Sequence, residues 1–397
     1  MVITSVSLGI FAMILSMAFI NGMNEQMVEN TISTSLGHVA IHGFGYQKNM
    51  KLQNSFSPGR DISDALEGDR DVLGYAPRVK VKGMIRSSES SRGVIVVGID
   101  PGRERKISRI DEYTSRDEGS GFLDDPSADE VLISRVLAKK LDLVVGDKLV
   151  LMIQDRENQI VGVGMTVRGV FQTPIETFDK FVVFAGLHKL QEITGLGDRL
   201  SEYTILVKDR NAVDRIRDDL IGRIGRKGLE VLSWKDMAPN LVSAIKLFDS
   251  MMYIFFGIIF LTVVFSIANT LIMAIMERFH ELGVMKSIGT RPSWIFLLIM
   301  LEALQLGFVG LMLGVAAGWV TAGILNITGI DLSFYKESMR VWGTGSLIYP
   351  TIKSMDILVA SLIVLMTTVL AALYPATRAA RRSEERRVGK ECRSRWA

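Results

Sequence analysis

The chain has 397 residues, enough for two or three domains, and 48% apolar content beside 22% charged residues fits hydrophobic spans joined to a sizeable soluble part better than either class alone. The 46 Lys and Arg against 43 Asp and Glu leave a net charge of +3, too balanced to point to nucleic acid. A single cysteine, Cys392, excludes a disulfide framework within the chain and a thiolate metal site.

The first element is an apolar stretch over residues 2–20. About 20 apolar residues suffice to cross the hydrocarbon core, so 1–21 reads as a first transmembrane helix. A cleaved signal peptide would need a basic n-region and a small-residue cleavage site, and neither precedes Asn21-Gly22.

Residues 22–245 then read as a soluble α+β domain. His38 to His42 alternates like a strand, and Gly93 to Ile99 is a β-branched run between glycines. Residues 117–129 form a Gly/Ser/Asp-rich loop. Asp129 to Leu141 reads as a helix, with Val131, Val136, Leu137 and Leu141 as core positions. Gly146-Asp147 is a turn before a strand at Lys148 to Ile153, and Phe181 to Phe184 is another strand. Val213, Ile216 and Leu220 recur at helical spacing.

Three further apolar stretches, 251–276, 294–325 and 357–374, make a second membrane region over 246–382. Lys and Arg in short loops mark the inner side of a membrane, whereas long loops translocate largely regardless of charge. Arg278, Lys286 and Arg291 place the 277–292 connector inside, with the C-terminus, and leave 22–245 extracytoplasmic. Residues 383–397 change character abruptly and are expected to be a non-native tail, and both ends of the chain to be truncated.

No catalytic constellation stands out, and no Gly-rich loop ending in Gly-Lys-Ser/Thr is present to cradle a phosphate. The expectation is therefore a non-enzymatic chain that binds no cofactor itself. His38 and His42 share a strand face as a metal pair would. Without a third ligand they read as polar residues on a solvated face, so no metal site is expected. His188 and His280 are isolated.

The connector is the most informative segment. Glu277, Arg278, Glu281 and Lys286 alternate in sign around Leu282, Val284, Met285 and Ile288, and Gly289 to Pro292 makes a helix stop and turn. This is a short amphipathic helix at the membrane surface, to be weighed against an ordinary solvated connector. In the following span Gly310, Gly314 and Gly318 recur every four residues, a face that lets another backbone approach closely in lipid. Glu302 should point into the bundle or towards the interface as a structural anchor rather than a proton relay. Asn269 is a second polar residue able to hydrogen-bond between helices.

These residues resemble the coupling region of the FtsX-like permease family, E-R-x-x-E-[IL]-G-x-x-[KR]-[AS]-[IL]-G. Glu277, Arg278, Glu281, Gly283, Lys286, Ser287 and Gly289 stand at matching positions. Glu302-Ala303-Leu304 followed by Gly307, Gly310, Gly314 and Gly318 extends the match, as does Tyr374-Pro375-Ala376-Thr377-Arg378-Ala379-Ala380. The family's Pro and Glu-Ala-Leu stretch beyond that motif is missing, as is its basic N-terminal segment. In the soluble domain, Gly37 to His42, Gly98-Ile99-Asp100-Pro101, Val131 to Ser134, Leu137 to Leu141 with Gly146-Asp147, and Thr177-Phe178-Asp179 are similar to the lipoprotein-releasing branch.

The resemblance implies a membrane protein with four transmembrane α-helices and a large extracytoplasmic α+β domain, MacB-like in its periplasmic core, between helices 1 and 2. It implies a bacterial inner-membrane location and a cytosolic ABC ATPase partner that uses the ATP and Mg. It also implies a second permease subunit, as a homo- or heterodimer, a lipoprotein cargo drawn from the membrane lipid, and a periplasmic acceptor. Glu277, Arg278, Glu281, Leu282, Gly283, Val284, Lys286 and Gly289 would contact the ATPase. The same architecture also serves MacB-like efflux and FtsX-like signalling complexes, where force passes to a periplasmic partner instead.

Overall fold

The computed structural model describes residues 2–117, 119–225 and 228–381, so the tail expected at 383–397 lies outside the described residues. In chain order, α1 (Val2–Thr31) passes into a π-helical turn (Ile32–Leu36), followed by β1 (Val39–Gly43), α2 (Arg60–Glu67), β2 (Val72–Arg86) and β3 (Ser91–Ile99). Then come β4 (Glu130–Ser134), α3 (Arg135–Leu141), β5 (Lys148–Gln154), β6 (Ile160–Phe171), α4 (Glu176–Phe181), β7 (Val182–Gly186) and α5 (Leu187–Thr194). β8 (Glu202–Val207), α6 (Val213–Ile224) and β9 (Leu229–Ser233) complete the soluble part. The rest is α7 (Pro239–Glu277), α8 (Phe279–Ser287), α9 (Pro292–Thr328), β10 (Ile330–Asp331), α10 (Lys336–Val341), β11 (Leu347–Ile348) and α11 (Ser354–Arg381). Two compact units result: residues 2–24, 245–331 and 347–381, and residues 25–244 with 332–346.

The first unit is a helical bundle. α1, α7, α9 and α11 are each long and apolar enough to cross a membrane. They outrun the apolar stretches that announce them: α7 begins at Pro239 and not near 251. No Gly or Pro interrupts the run from Asn240 to Phe256, so nothing in the backbone stops the helix where the apolar run ends. The bundle core joins Val6, Ile10 and Ile14 of α1, Val263 and Ile267 of α7, Ile299 and Ala303 of α9, and Val364 and Ala372 of α11.

The second unit is built on a nine-stranded sheet ordered β3-β7-β4-β6-β5-β2-β8-β1-β9. β3 also pairs with β2, so the strands from β3 round to β2 close a ring. β3–β7 and β4–β6 are parallel, and the other pairs are antiparallel. The long β2 serves both halves. Residues 72–78 pair with β8, and 78–86 turn to β3 and, at their end, to β5. An aromatic group, Phe171, Phe178 and Phe184, lies in a core beside β7 and α4.

Two expectations need correction. Asp129 to Leu141 is not one helix: Glu130–Ser134 is strand β4, and only Arg135–Leu141 is helical. The β-branched Val131 and Ile133 fit the pleat, and Ser134 caps α3 by accepting the Leu137 N–H at 3.1 Å. His38 and His42 are not on a solvated face. β1 lies between β8 and β9 and is buried along its whole length.

Candidate coupling site

α7 ends at Glu277, and Arg278 leaves the helical conformation (φ −98°, ψ 16°) before α8 begins. α8 closes on a Schellman motif. Gly289 N–H donates to Lys286 O at 3.0 Å and Thr290 N–H to Met285 O at 3.0 Å. That motif needs a left-handed residue, and Gly289 supplies it at φ +98°. Pro292 then opens α9, where its missing N–H leaves no bond unmade.

The turn divides α8 into two faces. Leu282 and Met285 face Leu271 and Ile275 of α7 and Leu298 and Ile299 of α9. Val284 and Ile288 are exposed, Ile288 by 80%, as is Glu277 at the end of α7, and the exposed Glu281 borders the cleft that Leu282 and Met285 line. Leu282 is half-buried and packs onto the bundle core, while the more exposed apolar residues of the segment are Val284 and Ile288. Gly283 is half-buried between the faces, and Lys286 is half-buried in the last turn.

Glu302 does not stand alone in the bundle. Its Oε1 accepts from Arg278 Nη1 at 3.2 Å, bracing the start of α8 against α9. Both side chains are substantially exposed, so the pair contributes up to about 1 kcal/mol. Asn269 is exposed and makes no side-chain hydrogen bond among the described residues. Polar pairs that do join α1 and α7 are Ser5 with Ser266, at 2.6 Å, and Asn24 with Asp249, at 3.3 Å.

The small-residue face of α9 is buried throughout. A Cβ added to Gly314 would overlap Ile10 and lie 2.7 Å from Ser7 O. At Gly310 it would meet Val6 at 2.8 Å, and at Gly318 Ile14 at 3.1 Å, so α1 seats along these three positions. Gly307 faces α11 instead, where its Cβ would lie 2.6 Å from Thr368. Ser7 Oγ donates to Gly310 O at 3.0 Å, a bond that the glycine's close approach permits.

The sequence reading missed the polar core of the sheet unit. Arg78, at the point where β2 leaves β8 for β3, is 1% exposed. Its Nε donates to Glu104 Oε2 at 3.0 Å, its Nη2 to Glu104 Oε1 at 2.5 Å, and its Nη1 to the Ser35 carbonyl. Asp100 places Glu104 by capping the next helical turn, accepting from Gly102 and Arg103 N–H. Lys80 Nζ reaches Glu202 Oε1 at 2.6 Å, and His42 stacks on Tyr46 beside them. Burial alone would push the Glu202 carboxyl up, but Lys80, His42 and Arg78 outweigh it and hold it at about 2. Burial lowers both histidines, His38 to about 4. His38 Nδ1 accepts from Val207 N–H at 3.2 Å. The alternation Arg78-Val79-Lys80-Val81-Lys82 was the one available signal, but it reads equally as a solvated strand face. Among the described residues no group of three or more His, Cys, Asp or Glu could hold a metal ion.

Family comparison decides what this pair of units is. The model of the MacB-like periplasmic core domain matches residues 1–222, and that of the FtsX-like permease C-terminal region matches 253–383. The chain belongs to the FtsX-like permeases that carry a MacB-like periplasmic core domain. The permease is similar to the lipoprotein-releasing system transmembrane protein LolC of Neisseria meningitidis, at 24% identity over 96% of this chain and 91% of the relative. It is also similar to LolE of Haemophilus influenzae, at 21% identity over 95% of this chain and 90% of the relative. Among solved structures, the periplasmic region of MacB from Actinobacillus actinomycetemcomitans aligns over 55% of the permease and 97% of that chain, at 13% identity and TM-score 0.36. The permease is thus a multi-pass inner-membrane protein whose MacB-like domain is extracytoplasmic.

Proposed function

We propose that the permease couples ATP hydrolysis in a separate cytosolic ABC ATPase to the extraction of lipoproteins from the outer leaflet of the inner membrane, for release to a periplasmic acceptor. The observation that carries this reading is the end-to-end likeness to relatives named for lipoprotein release, which runs through both units. The chain would work beside a second permease subunit, identical or homologous. Each CH₂ leaving the bilayer costs about 0.8 kcal/mol, so drawing out several acyl chains needs an energy source.

The outer face of α8 supplies the place for that energy to enter. Val284 and Ile288 offer a small apolar patch, while Glu277 and Glu281 set charge complementarity and register. A push on this face would pass through Leu282 and Met285 into α7 and α9, with Arg278–Glu302 as a brace. ATP and Mg belong to the ATPase, and the permease contributes no catalytic group.

The test is capture of the ATPase by the full-length permease from membranes, with the ATPase identified by mass spectrometry. Val284→Asp with Ile288→Asp should abolish capture, and Glu281→Lys should weaken it at least tenfold. Lys336→Glu, on the segment between α9 and α11, should have no effect. Wild-type capture by all three would leave the α8 face without a role.

A further inference from the structure

The connection from α9 to α11 is more than a hairpin. β10 pairs with β11 to close its base, and residues 332–346 between them belong to the sheet unit rather than to the bundle. Within that unit the segment is gripped at two points. Asn30 Nδ2 donates to Gly343 O at 2.9 Å. Three residues earlier, Arg340 is 6% exposed although it lies on a short loop helix.

Arg340 Nη2 donates to Asp179 Oδ2 at 2.6 Å, and its Nε donates to the Thr173 carbonyl at 3.2 Å. Asp179 is itself fully buried. It also accepts from Thr173 Oγ1 at 2.7 Å and from Thr173 N–H at 3.1 Å. The three residues close a ring of directed bonds in which the planar guanidinium fits two acceptors at once. Asp179 sits on α4, whose Phe178 packs on Phe171 and Phe184. The ring therefore joins the connecting segment to the β4–β6–β7 side of the MacB-like domain.

We infer that Arg340 is a positioning residue for the transport cycle: its clasp on Asp179 and Thr173 makes the α9–α11 connection and α4 move as one body, so that displacement of α9 and α11 is delivered to the outer domain. Three features carry the assignment. The clasp lies on the only stretch of chain running between α9 and α11. It is buried and bonded to two acceptors, so it resists a pull that a solvated contact would not. Within the domain Asp179 also holds two hydrogen bonds from Thr173, and the aromatic group packs on itself rather than on Arg340.

The inference rests on the permease being driven by an ATPase, and the experiment separates the two. Spin labels on Glu337 and Lys140, both exposed, report the distance between the segment and the domain in the permease–ATPase complex in nanodiscs. The wild type should give one narrow distribution, unchanged between nucleotide-free and ATP-vanadate states. Arg340→Met, which keeps the aliphatic stem, should give a broad or nucleotide-dependent distribution. In proteoliposomes it should keep ATP hydrolysis within twofold while release of a fluorescent triacylated lipopeptide per ATP falls at least tenfold. Arg340→Lys, which keeps the charge but loses the fork, should be intermediate. An unchanged distribution and release ratio in Arg340→Met would overturn the inference. So would loss of outer-domain trypsin resistance in that variant, which would make the clasp a folding element. A wild type that hydrolyses no ATP and releases no lipopeptide would sink the transport reading itself and the clasp's role with it.

Discussion

The bundle and the sheet unit of one chain are held together by opposite means. In the bundle, close packing does the work: Ile10 and Val6 seat against backbone at Gly314 and Gly310, and polar contacts such as Ser5–Ser266 and Ser7 to the Gly310 carbonyl are isolated bonds between helices. The Arg278–Glu302 ion pair of the bundle is substantially exposed. The sheet unit instead buries Arg78, Glu104 and Glu202 almost completely and ties them to one another. The difference follows from the solvent. Lipid tails are as apolar as the side chains they touch, so helices associate through backbone approach and dispersion, not through transfer from water. A domain folding in water gains from burial and can carry a satisfied ionic network along with it.

The largest break in this contrast should come from the ionic network. Arg78→Met leaves Glu104 buried without its cation, and losing one partner of a buried pair costs about 3–5 kcal/mol. In the full-length permease in detergent, urea denaturation of the outer domain should shift accordingly, while membrane insertion and bundle assembly stay normal. Gly314→Leu is the complementary change. Overpacking should cost the bundle about 1–3 kcal/mol and weaken helix association, read by crosslinking between α1 and α9. Outer-domain trypsin resistance should not change. If each variant damaged both units, the two would not be separate in their energetics.

Acid should act on the sheet unit with signs that can be told apart. His38 is neutral in the fold down to about 4 but takes a proton near 6.5 when unfolded, so its contribution to stability is lost as pH falls from 6.5 towards 4. Glu202, held at about 2 against an ordinary 4.5, loses its contribution below 4.5. Asp179 has the opposite sign: burial outweighs its Thr173 and Arg340 bonds and raises it to about 6, so protonation between 6 and 3.8 favours the fold. Denaturation midpoints should therefore fall more steeply below pH 4.5 than above it. His38→Gln should leave Asp179 acting alone above pH 4.5, so that the midpoint rises as pH falls from 6 towards 4.5, and should leave the lower limb as it is. A lower limb that vanished with His38→Gln would remove Glu202 from the account.

The smallest effect belongs to Asn269. Exposed and unbonded among the described residues, it should tolerate Leu with a stability change within about 0.5 kcal/mol. A larger loss in the isolated permease would show a hydrogen bond that the bundle geometry does not contain.

How far the site was legible depends on the range of the interaction. The Gly289 stop and the Pro292 restart of α9 follow from local backbone chemistry, and the four spans from length and hydropathy, so both could be read directly. The four-residue spacing of Gly310, Gly314 and Gly318 likewise announced a close-contact face. Which helix fills it could not be read, because α1 arrives from some 300 residues away along the chain. The two faces of α8 were invisible for the same reason: Leu282 and Val284 are alike in composition, and only the position of α7 and α9 sends one inward.

The sequence by itself determined periodicity, punctuation and membrane-length hydrophobicity, since these rest on contacts within a few residues or on composition. It also singled out Gly98-Ile99-Asp100-Pro101 and Thr177-Phe178-Asp179 as motifs without saying what they do. Only the tertiary structure decided that Asp100 positions Glu104 for Arg78 and that Asp179 receives Arg340, 161 residues further along the chain. A charged residue looks the same in a string whether water or a partner satisfies it. Burial with a bonded partner separates the two, and burial is a property of the whole fold.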